Sequence, residues 1–77
     1  MDYSMMLNLS EMTDSNKQEL LTACSLLGAL INYNGNYIEV TGSLAAVKKV
    51  MLAAACYTRQ GEKIIITDFK EVDDWDD

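Results

Sequence analysis

The chain has no histidine and no proline, two cysteines, and aromatic side chains at only 8% of its residues. Without histidine it lacks the commonest general base, phosphoacceptor and imidazole metal ligand at once. Cys24 and Cys56 form no Cys-x-x-Cys pair, so the donors for a zinc centre are missing. In a reducing cytosol both thiols read most simply as small buried hydrophobes, with a disulfide as the alternative. The four glycines, Gly28, Gly35, Gly42 and Gly61, stand singly where turns or helix ends fall, which leaves no phosphate-cradling loop.

Positive charge is also scarce. Six Lys and Arg stand against twelve Asp and Glu, a net charge of −6. Nucleic-acid backbones are bound by clusters of Lys and Arg, so this balance points away from direct nucleic-acid binding and towards a protein partner with a basic surface. The longest uninterrupted apolar run, Val50 to Tyr57, is too short to span a bilayer. The N-terminus lacks the basic region and apolar segment of a signal peptide, and the expected location is cytoplasmic. An enzyme needs a nucleophile with its base, a carboxylate pair in a pocket, or a metal site. None is recognisable, so no catalytic, cofactor or metal residue is assigned and the expected protein is not an enzyme.

What is present fits one small globular domain: 77 residues, 49% hydrophobic and 23% charged. Ser43 to Gln60 is the longest helical signal, rich in Ala, Leu, Met and Lys, with Ser43 as N-cap and Gly61 at the usual C-terminal stop. Leu44, Val47, Val50, Met51, Ala54 and Thr58 share one face, which should be buried, while Lys48, Lys49 and Arg59 lie outside it. Leu52, Cys56 and Tyr57 form an apolar flank, which either lies under other elements or supports self-association, a homodimer being the simplest case.

Tyr3, Met5, Leu7 and Leu9 alternate with Ser4, Met6, Asn8 and Ser10, the period of a half-buried strand. Ser15 followed by Gln18 reads as a capping box opening a first helix to about Gly28, with Leu20, Cys24, Leu27 and Ile31 as its inner stripe and Leu21 beside it. Asn34-Gly35 predicts a type I′ hairpin with Tyr33 opposite Asn36 and Ile31 opposite Ile38. The run Lys63 to Phe69, with three consecutive isoleucines, predicts a strand covered on much of its surface or lying near the sheet centre. The order strand, helix, strand, strand, helix, strand defines an α+β fold: a β-α-β-β-α-β open-faced sandwich, ferredoxin-like, with a four-stranded antiparallel sheet and two helices on one face. The other face, carrying Ser4, Met6, Asn8, Tyr37, Glu39 and Thr67, is left open.

The domain is expected over residues 1–69, followed by an acidic C-terminal tail at 70–77. The stretch from Asp68 to Asp77 holds six of the twelve acidic residues and the only tryptophan. It reads either as a solubilising tail or as a recognition element in which Asp68, Glu71, Asp73, Asp74, Asp76 and Asp77 meet basic groups around Trp75. It lacks the glycine and closing glutamate of an EF-hand calcium loop.

From Tyr3 to Thr67 the element order resembles the HPr phosphocarrier family. The resemblance is carried by a hairpin containing Tyr33-Asn34-Gly35 after the first helix, a second helix opening with Gly42-Ser43-Leu44, and the hydrophobic strand Ile64 to Thr67. It implies an open-faced sandwich and a regulatory phosphorylation site at Ser43. The family's phosphoacceptor histidine belongs just before the first helix, where this chain reads Glu11 to Asn16, so phosphotransfer is not implied.

Three functions follow as expectations. The first is a non-enzymatic acidic protein-binding module, in one form a small phage-type inhibitor covering a basic, nucleic-acid-binding surface of its partner. The second is a divergent HPr-like regulatory protein without phosphocarrier activity. The third is a self-associating structural subunit.

Overall fold

The computed structural model describes residues 2–72. Six elements follow in order: β1 (Asp2–Asn8), α1 (Asp14–Leu26), β2 (Leu30–Asn34), β3 (Tyr37–Ser43), α2 (Leu44–Arg59) and β4 (Ile65–Val72). All four strands form one antiparallel sheet in the order β2-β3-β1-β4, the α+β ferredoxin-like topology expected from the element order.

Register decides which face is the core. Met5 pairs with Val40 and Leu7 with Ile38, and all four side chains are fully buried. Leu20, Leu21 and Cys24 of α1 and Val47 and Val50 of α2 complete one hydrophobic cluster with them. The same pairing sets Ser4 against Thr41, Met6 against Glu39 and Thr67, and Asn8 against Tyr37. Because directly opposed residues share a face, these side chains make up the open side.

The helix ends are fixed by side chains and by glycine. Ser43 caps α2 as expected, its Oγ accepting from the Ala46 N–H at 3.2 Å. At the other end Gly61, at φ +98°, lets the Gly61 and Glu62 N–H groups donate to Thr58 O and Tyr57 O, a Schellman closure. The cap of α1 departs from expectation. Thr13, two residues before Ser15, accepts from the Asn16 N–H at 3.3 Å, and the carboxylate at this end comes from outside the helix. Glu62 accepts from the Thr13 N–H and hydroxyl, each at 3.4 Å, and from Asn16 Nδ2. It takes the role a local Glu or Gln plays in a capping box.

The hairpin also differs in register. Asn34 pairs with Tyr37, so Gly35 and Asn36 form the two-residue loop, and Ile31 opposes Val40 rather than Ile38. Gly35 has φ +65° and Asn36 stays at negative φ, the type II′ pattern that asks for glycine at the first central position. The Leu9 N–H donates to Asn36 O at 2.8 Å, tying the loop to the end of β1. A two-residue slip keeps every side chain on its own face, so Ile31, Ile38 and Val40 still face the helices together.

The isoleucine-rich strand is the main correction. β4 is neither central nor covered: it is an edge strand bonded only to β1, and Ile65 and Ile66 are exposed. The helices pack elsewhere, α1 against β2 and α2 against β3 and β1. β4 also runs three residues past Phe69, to Val72, so Lys70 to Val72 of the expected tail belong to the sheet.

Candidate functional site

β4 carries three exposed large apolar side chains, Ile65, Ile66 and Phe69. Ser4 pairs with Lys70 and Met6 with Thr67, so Asp68 and Phe69 both lie across from the single residue Met5. This is a β-bulge, and Asp68 accommodates it at φ +56°, a left-handed conformation that aspartate tolerates better than most residues. The extra residue changes which way the strand's side chains point. Ile66, opposite buried Leu7, faces the helices. Phe69, three residues on, would face away in a regular strand. It instead stacks on Tyr3, with ring centroids 5.7 Å apart and planes 15° apart. Tyr3 alternates with Met5 and Leu7 on the helix side, so the bulge brings Ile66 and Phe69 to one side, where Phe69 stays 45% exposed.

Between β4 and α2 this leaves a groove of about 370 Å³, lined by Met51, Ala54, Ala55, Thr58 and Arg59 from the helix and Ile64 and Ile66 from the strand side. Its walls are apolar apart from Arg59 and the Thr58 hydroxyl, which donates to Ala54 O at 3.1 Å.

The expected acidic site is partly visible. Asp68 and Glu71 are exposed on β4, and register brings in a carboxylate from the far end of the sequence: Asp2 lies opposite Val72, and Tyr3 opposite Glu71. The ion pairs among the described residues are Lys17–Asp14 at 3.7 Å and Lys63–Glu11 at 3.8 Å, so Asp2, Asp68 and Glu71 are unpaired within that set. Asp73, Asp74, Trp75, Asp76 and Asp77 lie outside the described residues.

The expected self-association flank does not form one patch. Leu52 is 68% exposed and Cys56 is exposed, one turn apart on the solvent side of α2. Tyr57 is turned about 100° from Cys56, is half-buried against the core, and donates its hydroxyl to Glu19 Oε1 at 2.8 Å. That hydrogen bond, with burial and the charge of Glu19 adding to it, raises the phenol above its ordinary pKa. Cys24 is fully buried, and burial pushes its thiol up to about 11. Both cysteines are free. Ser43, the serine singled out by the HPr resemblance, is exposed at the start of α2 with its Oγ engaged in the cap.

Among the described residues no group of three or more Cys, Asp or Glu is arranged to hold a metal ion, and every buried side-chain N and O atom has a hydrogen-bond partner. Among the described residues no helix is long and apolar enough to cross a membrane. What the arrangement offers chemically is an exposed Phe69 stacked on half-buried Tyr3, close to carboxylates unpaired among the described residues and next to an apolar groove. The defined class is an α+β protein of ferredoxin-like topology with one uncovered edge strand. No protein-family model, curated protein or solved structure matches the chain.

Proposed function

We propose that this protein is a non-enzymatic protein-binding module that engages a basic surface of its partner through the acidic, aromatic end of the sheet. One observation carries the reading: exposed Phe69 stacks on half-buried Tyr3, with Glu71 directly opposite Tyr3 and Asp68 and Asp2 at neighbouring backbone positions, and no cation from the described residues is paired to any of these carboxylates. Arginine and lysine side chains suit such a place. Their charge meets the carboxylates, and their flat or aliphatic parts lie on aromatic faces. The net charge of −6 steers a basic partner towards this surface and repels nucleic acid. Asp73, Asp74, Asp76 and Asp77 extend the acidic sequence from the end of β4. A phage-type inhibitor that occupies a nucleic-acid-binding surface is one concrete form of this function.

The test is affinity capture from the native host with two baits, the natural chain and a triple variant carrying Asp68→Asn, Phe69→Ala and Glu71→Gln. A basic protein held by the first and lost from the second, and released as salt rises from about 50 to 500 mM, supports the proposal. Equal capture by both baits, or retention indifferent to salt, overturns it.

A further inference from the structure

We infer that the groove between α2 and β4 is a second docking surface, and that its occupant is an amphipathic α-helix of a partner whose apolar face is flanked by Asp and Glu. This goes beyond the acidic surface: it concerns a neighbouring groove with a wall of opposite charge, lined by none of the residues of that surface, and stands or falls separately.

The space lies open along one edge of the sheet. Strands lie about 4.8 Å apart, so the four backbones span roughly 14 Å, and two helices packed 8–10 Å apart leave about one strand's width uncovered. With α1 against β2 and α2 against β3 and β1, the sheet is left uncovered along β4. The floor there is apolar, made by Ile64 and Ile66, with Ile66 40% exposed. The wall is Met51, Ala54, Ala55 and Thr58, mostly small side chains that allow a neighbouring helix to approach closely.

Two observations select the occupant. The first is backbone shape. An extended peptide adding to the sheet needs a straight free edge, and the bulge at Asp68 interrupts this one mid-strand, with Lys63, Lys70 and Glu71 along it. A helix needs only the side-chain surface. The second is charge. In a chain with twice as many acidic as basic residues, α2 carries Lys48, Lys49 and Arg59 and no acidic residue. Arg59 lines the groove, and Lys48 is eleven residues, about three turns, before it on the same side of the helix. Neither is ion-paired with a described residue. A helix seated against α2 therefore meets positive charge along that wall, and its Asp and Glu belong on that flank rather than towards Asp68 and Glu71.

The probe is a fluorescein-labelled helical peptide of about 18 residues with Leu at helical spacing and Glu on both flanks, beside a twin with Lys for Glu. Binding is followed by fluorescence anisotropy and the state of the protein by sedimentation. The Glu peptide should bind saturably and the Lys peptide at least about 10-fold more weakly. Ala55→Arg should abolish binding by filling the wall at an exposed site where the helix is undisturbed. Arg59→Glu should weaken the Glu peptide at least about 10-fold and improve the Lys peptide. Three results each overturn the inference: equal affinity for both peptides, no effect of Ala55→Arg in a protein of unchanged circular dichroism, or a dimer of the natural chain that Ala55→Arg disperses, which would give the groove to a second copy.

Discussion

Glu62 joins two parts of the chain that sequence separates by almost fifty residues. It follows the glycine that closes α2, and its carboxylate accepts the backbone N–H of Thr13, the N-cap of α1. Replacing Glu62 with Ala removes its bonds to the Thr13 N–H, the Thr13 hydroxyl and Asn16 Nδ2 together. The two bonds at 3.4 Å are long and contribute little each. Loss of a cap costs about 1 kcal/mol, and loss of a negative charge at a helix N-terminus about 0.3–1 kcal/mol. The sum is about 1.5 kcal/mol, which for a domain of this size lowers Tm by roughly 6–12 °C. Thermal and urea unfolding followed by circular dichroism measure it. Glu62→Gln keeps an acceptor and loses only the charge, so about half the effect should remain. A double-mutant cycle with Asn16→Ala should show a coupling of about 0.5 kcal/mol or more. Glu11→Ala, which breaks an exposed ion pair to Lys63, should change stability by less than about 0.5 kcal/mol. If Glu62→Ala costs no more than Glu11→Ala, or the cycle shows no coupling, the clasp contributes nothing and the reasoning fails.

Cys24 predicts an alkaline transition. Its folded-state pKa is raised from 9.0 to about 11, so its contribution is fully present below pH 9 and is lost as pH rises to 11. At 1.36 kcal/mol per pH unit, roughly 3 kcal/mol is at stake. Cys24→Ala, less stable than the natural chain near pH 7 because it opens a cavity, should lose less stability over that window. Parallel stability curves for the two proteins would refute this origin. The thiols should also separate by reactivity: a disulfide reagent such as Ellman's titrates exposed Cys56 in the folded protein at once and Cys24 only after unfolding. Two fast thiols under native conditions would contradict the burial. Gly35→Ala should cost about 1–2 kcal/mol, since the site holds φ +65° with open space around it, so backbone strain alone sets the cost; an unchanged urea midpoint would show that the turn lies elsewhere.

The element order, the core face and the cap at Ser43 were legible because each rests on local periodicity or a local hydrogen bond. Tyr3 to Leu9 alternates whatever it pairs with, and Leu20, Cys24, Val47 and Val50 keep helical spacing whatever covers them. Capping at Thr13 was not legible. Its carboxylate comes from Glu62, which no window around Ser15 contains, whereas the Ser15 to Gln18 pattern satisfies the local rule and is unused. The hairpin erred by choosing between Asn34-Gly35 and Gly35-Asn36, two turns that glycine permits equally. A hydrogen bond from Leu9, twenty-seven residues earlier than Asn36, accompanies the one adopted.

The uncovered edge strand shows why the functional surface was harder to read than the fold. Three isoleucines in a row indicate burial only if every strand of a small sheet is covered, and here the helices sit over the other three. The charged residues along β4 carry that information: Asp68, Lys70 and Glu71 interrupt the strand's apolar pattern, as edge strands require to avoid pairing with other chains. Asp68 has the larger consequence. As the inserted residue of the bulge it reverses the alternation of everything after it, so Phe69 stacks on Tyr3 instead of pointing to the open face, and Glu71 stands opposite Tyr3. One left-handed residue thus brings Phe69 onto Tyr3, sets Glu71 opposite Tyr3 and keeps Ile66 and Phe69 on one side of the strand. A regular strand with the same sequence would scatter them over both faces of the sheet.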